Sequence, residues 1–392
     1  MARARKISRP GVTLLLFAVL FCVGWAVVKV HLMPAGRFEN GFPILTEIQA
    51  SIVPLGHGRK LQGIEALRRA AERGDTSAQT KLGDLYDTGT AVPQDHTEAD
   101  AWYRKAAEQG DPSAQHDLAY AYEHGQGVRQ DYGQAVAWYR MAADQNYALA
   151  ENNLGDAYEH GRGVPQNYAD AVQWYRTAAA QGDAAAENSL GRAYERGRGT
   201  QQDDSQAVHW YRMAAAQNFA LAENNLGAFC ENGRGMSQDS AQAVAWYQKA
   251  AAQNFGPAQT NLGYAYERGM GVTQDYSQAV AWYRLAAAQN FPSAETRLGL
   301  MYEHGNGVPQ DYTLAANWFR KAAGQGDAHA QDELGAAYYF GHGVPQNNDQ
   351  AMEWLKKSAA QGDSDAQQNL EVLKRYSRKV TSELMHHSGA AC

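Results

Sequence analysis

The sequence predicts an all-α solenoid of 36-residue helix-turn-helix repeats with one N-terminal transmembrane helix. Three observations carry this. Trp recurs at 102, 138, 174, 210, 246, 282, 318 and 354, every step being 36 residues. Leu keeps the same interval from 82 through 118, 154, 190, 226, 262, 298 and 334 to 370. Residues 11–28, GVTLLLFAVLFCVGWAVV, are uncharged and mostly apolar over 18 positions. Equal steps of this size mark a tandem array in which each unit buries its apolar face on its neighbours. Eighteen apolar residues are just enough to cross about 30 Å of hydrocarbon as a helix.

Taken in chain order, Arg3, Arg5, Lys6 and Arg9 make residues 1–10 a basic cytoplasmic tail, and residues 11–30 read as a signal anchor with that tail inside. The remainder is then extracytoplasmic, as for a bacterial inner-membrane protein facing the periplasm. Gly24-Trp25-Ala26 also offers the small residues a signal peptidase inspects, and cleavage there would leave a secreted protein. Bulky Phe21 before Cys22 disfavours a lipoprotein, and no Asn begins an Asn-x-Ser/Thr sequon. Pro34, Pro43 and Pro54 with several Gly make residues 31–59 a linker. Residues 60–380 form the solenoid, about eight repeats plus capping helices, and residues 381–392 a flexible tail.

Within a unit, Ala99, Trp102, Tyr103, Ala106 and Ala107 fall on one helical face, helix B. Asp95 followed by Glu98 resembles a capping box, repeated as Asp131/Gln134, Asp203/Gln206, Asp239/Gln242 and Asp275/Gln278. Gly110, replaced elsewhere by Asn146, Asn218, Asn254 and Asn290, suits the left-handed position that ends the helix. The next residue covaries: Gly precedes Asp111, Asp183, Asp327 and Asp363, whereas Asn precedes Tyr147, Phe219, Phe255 and Phe291. Helix A carries Ala78, Leu82 and Tyr86 and ends in a loop such as Gly125-Gln126-Gly127-Val128. Trp is expected to fill the space between units, with small residues such as Gly83 allowing close approach. Residues 60–73, with Ala66 where Trp should be, and residues 364 to about 380 are the expected caps.

Composition excludes several functions. The chain has 35 Lys+Arg against 42 Asp+Glu; without the six basic residues of the first 37 positions, 29 face 42, a balance of −13. Nucleic-acid binding, which draws on clustered cations, is not expected. Cys22, Cys230 and Cys392 make no disulfide or metal-ligand pattern. Gly-x-Gly recurs in seven helix A loops but lacks the preceding strand and third Gly of a dinucleotide loop. No cofactor and no metal are expected.

The run LGYAYERGMGVTQDYSQAVAWYRLAAAQN, Leu262 to Asn290, resembles the Sel-1-like repeat family, relatives of the tetratricopeptide repeats. The resemblance covers about residues 60–379, with local departures at Ala91, Cys230 and Leu355. It implies a right-handed αα superhelix that serves as a non-enzymatic adaptor for a protein or peptide partner. Some relatives have been discussed as β-lactam-binding enzymes, but no Ser here is followed three residues later by Lys.

Candidate sites come from the repeat columns. His124, His160 and His304 each follow a Glu, and adjacent helical residues make a poor metal pair. Glu123, Glu159, Glu195, Glu231, Glu267 and Glu303 sit at the unfavourable end of helix A. The expected compensation is loop amides or a ladder to Arg104, Arg140, Arg176, Arg212, Arg284 and Arg320 of helix B. On a helical wheel with Leu82 at 0°, positions 80, 84 and 87 lie at about 160°, 200° and 140°, away from the core. Position 84 varies most: Asp84, Tyr120, Asp156, Arg192, Ala228, Tyr264, Leu300, Ala336. Position 80 is polar throughout. His116, Tyr120, Asn152, Asp156, Asn188, Arg192, Asn224 and Tyr264 are therefore the candidate binding surface, on what the related tetratricopeptide fold makes the concave side. The alternative function is an envelope glycan-binding module in which Tyr120 and Tyr264 stack on sugars.

Overall fold

The computed structural model describes residues 57–375, and every regular element in them is an α-helix. The predicted anchor (11–30) and nearly all of the linker lie outside the described residues, as does the tail. Among the described residues no helix is long and apolar enough to cross a membrane.

A cap helix, α1 (His57–Glu72), is followed by eight helix pairs. The A helices are α2 (Thr76–Thr88), α4 (Pro112–His124), α6 (Ala148–His160), α8 (Ala184–Arg196), α10 (Ala220–Asn232), α12 (Gly256–Arg268), α14 (Pro292–His304) and α16 (Ala328–Phe340). Alternating with them are the B helices: α3 (His96–Glu108), α5 (Tyr132–Ala143), α7 (Tyr168–Ala180), α9 (Asp204–Ala216), α11 (Ser240–Ala252), α13 (Tyr276–Ala287), α15 (Tyr312–Gly324) and α17 (Asn348–Ala360). A last helix, α18, is described over residues 364–375. Each helix packs mainly on its two chain neighbours, as a solenoid requires.

Local chemistry sets the boundaries. Asp95, Asp131, Asp203, Asp239 and Asp275 all accept a backbone N–H three residues on, as predicted. The reciprocal half of the box is not made: the Asp95 N–H donates to Tyr86 O of helix A, and Glu98 accepts from the Trp102 indole at 3.2 Å. Asn146, Asn218, Asn254 and Asn290 adopt φ between 59° and 62°, the left-handed conformation expected of them. The covariation with the next residue also has a cause. After Gly, Asp111, Asp183 and Asp327 cap the following A helix through their carboxylates. After Asn, Tyr147, Phe219, Phe255 and Phe291 make no cap bond and pack against the core.

Trp fills the space between units as expected, but the deeper ring is its neighbour. The fully buried rings are Tyr139, Tyr175, Tyr211, Tyr283 and Phe319, one residue after each Trp. Trp102 is buried, but the other seven repeat Trp are half-buried and bridge neighbouring clusters, as Trp138 does. One step along a helix turns a side chain by about 100°, so only one of two adjacent aromatics can face the A helix squarely. Helix A meets that Tyr with Gly: a Cβ on Gly191 would stand 2.5 Å from the Tyr211 ring. The second loop Gly fits the next joint. A Cβ on Gly163 would lie 2.1 Å from Tyr132 O, and the other repeats place this Gly the same way. Ala91 takes this position in the first loop, at φ 67°.

Candidate functional site

The A-helix face was expected to point away from the core, and the structure divides it. Position 80 is not free surface: Thr80, Asn188, Thr296 and Asp332 are buried, and its other residues half-buried. The wheel placed it away from the B partner, but that direction faces the A helix of the next repeat. There a polar staple forms. Asn225 Nδ2 donates to Asn188 Oδ1 at 3.0 Å, Asn261 to Asn224 at 2.9 Å and Asn369 to Asp332 at 2.9 Å, with Asn153 and the His116 ring 3.1 Å apart. His116, Asn188 and Asn224 are thus joint residues. Asn152 Oδ1 is buried without a partner.

The Glu series is compensated differently from the expected ladder. Tyr139, Tyr175, Tyr211, Tyr247 and Tyr283 each donate a hydroxyl to the Glu sixteen residues earlier, at 2.6–2.8 Å. Burial first, then the Glu195 carboxylate, push the Tyr211 hydroxyl up, so it remains a donor. The second carboxylate oxygen takes an arginine from the following repeat or its loop: Arg162 on Glu123 at 3.0 Å, Arg234 on Glu195 at 2.8 Å, and Arg192 on Glu159 at 3.5 Å. The Arg series of helix B turns to Tyr hydroxyls instead, Arg104 to Tyr122, Arg140 to Tyr158, Arg176 to Tyr194 and Arg284 to Tyr302. Arg212 has no such hydroxyl because Cys230 replaces the Tyr.

Position 84 carries the side chains that remain at the surface. Tyr120 is 42% exposed and stacks on His124 with ring centroids 4.0 Å apart. Tyr264 is half-buried beneath the guanidiniums of Arg297 and Arg268, 4.9 and 5.6 Å from its centroid. Arg192 bonds Glu159, and Asp156 pairs with His160 and Arg162. Asp156, Glu159 and His160 could converge on a cation, their ligand atoms lying within 4.8 Å of one another. The arginines already on both carboxylates would have to leave first.

Two contacts that the sequence reading did not single out recur through the array. The Gln ending each B helix donates to a buried Gln or Glu of its own A helix, from Gln109 on Gln79 at 2.6 Å to Gln361 on Gln331 at 2.9 Å. Gln217 on Glu187 is typical, at 2.9 Å; burial pushes the Glu187 carboxyl up while the Gln217 bond opposes it. The signal was available, since Gln recurs at 109, 145, 181, 217, 253, 289, 325 and 361. The other contact covers Trp. Lys105, Lys249 and Lys357 lie 3.7–4.1 Å from the centroids of Trp102, Trp246 and Trp354.

Fold and site together define an αα-repeat protein whose joints are bonded mostly within the array and whose A-helix face carries variable side chains. More particularly, the chain belongs to the Sel1 repeat family: eight consecutive Sel1 repeats match residues 76–111, 112–147, 148–183, 184–219, 220–255, 256–291, 292–327 and 328–363. Among solved structures it is similar to c5321, a protective antigen of uropathogenic Escherichia coli strains with an SLR fold. Identity is 39%, coverage is 79% of this chain and 67% of that chain, and the TM-score is 0.63. It is also similar to a Sel1 repeat protein from Oxalobacter formigenes, at 31% identity over 87% of this chain and 98% of that one, with TM-score 0.58. No curated protein matches the chain. Sel1 and tetratricopeptide-like repeat proteins are generally protein-interaction scaffolds, and relatives of this fold are typically non-enzymatic.

Proposed function

We propose that the protein is a membrane-tethered, non-enzymatic scaffold whose solenoid holds a protein or peptide partner on its A-helix face, the concave side of the superhelix. One observation carries this reading. Positions 79, 80 and 87 of helix A are largely consumed by inter-helix hydrogen bonds, while position 84 varies in charge, size and aromaticity from repeat to repeat. Side chains that do no repetitive structural work on a repetitive frame are free to encode recognition.

The tether is residues 11–30 with the basic tail inside, which puts the solenoid outside the cytoplasm. The description of the E. coli relative as a protective antigen accords with that location. Cleavage after Ala26 would make the protein secreted.

The test is cross-linking capture from intact envelopes with the full-length chain, against a variant carrying Tyr120→Ala, Asp156→Ala, Arg192→Ala and Tyr264→Ala. A parallel melt verifies that the variant folds. The expected result is a discrete protein captured by the parent and lost in the folded variant. An unchanged capture would refute the A-helix surface.

A second reading, an envelope-glycan module, draws on exposed aromatics elsewhere. Phe340 is 62% exposed and stacks on His342 at 5.4 Å, and Tyr312 lies 4.5 Å from the same imidazole. Sugar stacking there would survive high salt and be blocked by free oligosaccharide, whereas polar protein docking weakens with salt.

A further inference from the structure

The joint between the sixth and seventh repeats carries a cation where several other joints carry an asparagine. At position 81, Asn153, Asn225, Asn261 and Asn369 each engage position 80 of the preceding repeat, whereas Asp117, Ser189 and Glu333 do not. The seventh repeat has Arg297, opposite Thr260, whose hydroxyl bonds Gly256 O on its own helix at 3.0 Å as Thr80 and Thr296 bond theirs. Arg297 lies over Tyr264 and reaches Glu267 at 3.5 Å. Of the position-81 side chains that face a preceding repeat, Arg297 alone is a cation.

That cation faces a cleft of about 290 Å³ between the C-terminal half of α12 and α14, lined also by Gln274, Tyr276 and Asn306. Its other cation, Arg268, is 57% exposed and has only a distant carboxylate, Glu267 at 3.9 Å. Glu267 is the one acidic residue in the lining, and its other oxygen is held by Tyr283 at 2.6 Å. His304 completes the set. Unlike His124 and His160, which bond the carbonyl four residues back, its ring makes no hydrogen bond or ion pair among the described residues. Leu300 and Met301 give the wall between these donors an apolar character.

We propose that this cleft receives a carboxylate of the partner, an acidic side chain or chain end followed by an apolar residue, with Arg297 and Arg268 as its cations and His304 as a further donor. The inference rests on the scaffold reading and makes it specific. Two guanidiniums stacked on one ring are oriented before the ligand arrives, which favours planar carboxylate recognition over a diffuse basic patch. A peptide contributes its apolar neighbour to Leu300 and loses little by leaving water, because the site is open at the surface.

The experiment measures fluorescence anisotropy of a labelled hexapeptide, four Glu flanking two Leu, with a free C-terminal carboxylate, on the full-length protein in detergent. The comparison probe is the same peptide with Gln for Glu and an amidated end. Saturable binding of the Glu peptide is expected, weakening as salt rises, with the Gln peptide weaker by about tenfold or more. Arg297→Gln should weaken the Glu peptide about tenfold and Arg268→Gln about threefold, the smaller figure reflecting greater exposure. Arg297→Lys should recover part of the loss. Thermal melts of each variant keep misfolding apart from lost binding. Equal affinity for the two peptides, no binding of the Glu peptide, or folded Arg variants binding like the parent would each overturn the proposal. A partner captured from envelopes, lost in the four-residue variant but retained by Arg297→Gln and Arg268→Gln, would sink the cleft and leave the scaffold standing.

Discussion

The central repeats and the ends of the array share one apolar spine and differ in their polar joints. Leu82, Leu118, Leu154, Leu190, Leu226, Leu262, Leu298 and Leu334 are all fully buried. Between residues 112 and 291 every repeat also has its Tyr–Glu bond. At the first repeat Tyr103 finds Asp84 instead, and Asp87, one methylene shorter than the Glu of later repeats, pairs with His96 at 2.8 Å. The seventh has Phe319, with no hydroxyl to offer Glu303, and the eighth has Leu355 opposite Tyr339. The ends also gather unbalanced acid. Burial pushes Glu333 up to about 8, and Glu303, Asp332, Asp363 and Asp365 add to the rise. Apolar packing therefore makes each repeat fold, while the Tyr–Glu bonds tie helix B to helix A in the central repeats and are missing at the ends.

The largest expected break is in the centre. Tyr211→Ala removes a fully buried ring, the contact to Gly191 and the bond to Glu195, and should destabilise its neighbourhood by about 3–5 kcal/mol. Trp210→Ala, removing a half-buried ring, should cost less. Because a solenoid need not unfold in one step, amide exchange resolved by repeat is the measurement. Equal losses for the two substitutions would contradict the hierarchy of Tyr over Trp.

The next effect sits at the N-terminal end and depends on pH. Asp100 is 5% exposed and stands where Val136, Val172, Val208, Val244 and Val280 stand in the next five repeats, with Oδ2 unpartnered. Burial, then the charge of Asp87, push its carboxyl up to about 7 against the opposing pull of His96 and Arg104. A folded value above the ordinary 3.8 means that the native state holds the proton more tightly. Stability then falls as pH rises from about 4 to about 7 and stays level above, by up to about 4 kcal/mol. Asp100→Val should therefore stabilise the first joint by about 2–4 kcal/mol at pH 8 and by much less at pH 4. Urea melts at both values test this; a pH-independent difference would place the cost in shape rather than charge.

The fold was legible in the sequence because its signals are local. Asp95 caps its own helix and Asn146 ends its own helix, so spacing within a dozen residues suffices. The A-helix face was only half legible. The wheel that turned Asn188 and Asn224 outward knew one neighbour, the B helix, whereas a solenoid helix has a second neighbour 36 residues away in sequence. Tyr211 and Glu195 are likewise sixteen residues apart on different helices, so neither residue announces the other. Gln217 was missed for another reason. Its column is as regular as that of Trp, but a polar residue at a helix end reads as solvated until the buried Glu187 beside it is seen.

Two smaller substitutions sharpen the contrast at single joints. Gln217→Ala strips the bond from Glu187, leaving a buried carboxylate short of a donor, and should cost about 1–3 kcal/mol with the loss greater at pH 8 than at pH 4. The same change at Gln289, which meets the neutral Gln259 at 2.8 Å, should show no such pH dependence.

The smallest effect runs in the stabilising direction. Phe319→Tyr should place a hydroxyl where Tyr211 and Tyr283 have theirs, in reach of Glu303, because Phe319 already packs on Gly299 as those rings pack on Gly191 and Gly263. A hydrogen bond to a carboxylate at a half-buried site is worth about 1 kcal/mol net. If the variant were no more stable than the parent, the Tyr–Glu bonds of the central repeats would be consequences of packing there, and the difference between centre and ends would reduce to apolar contact alone.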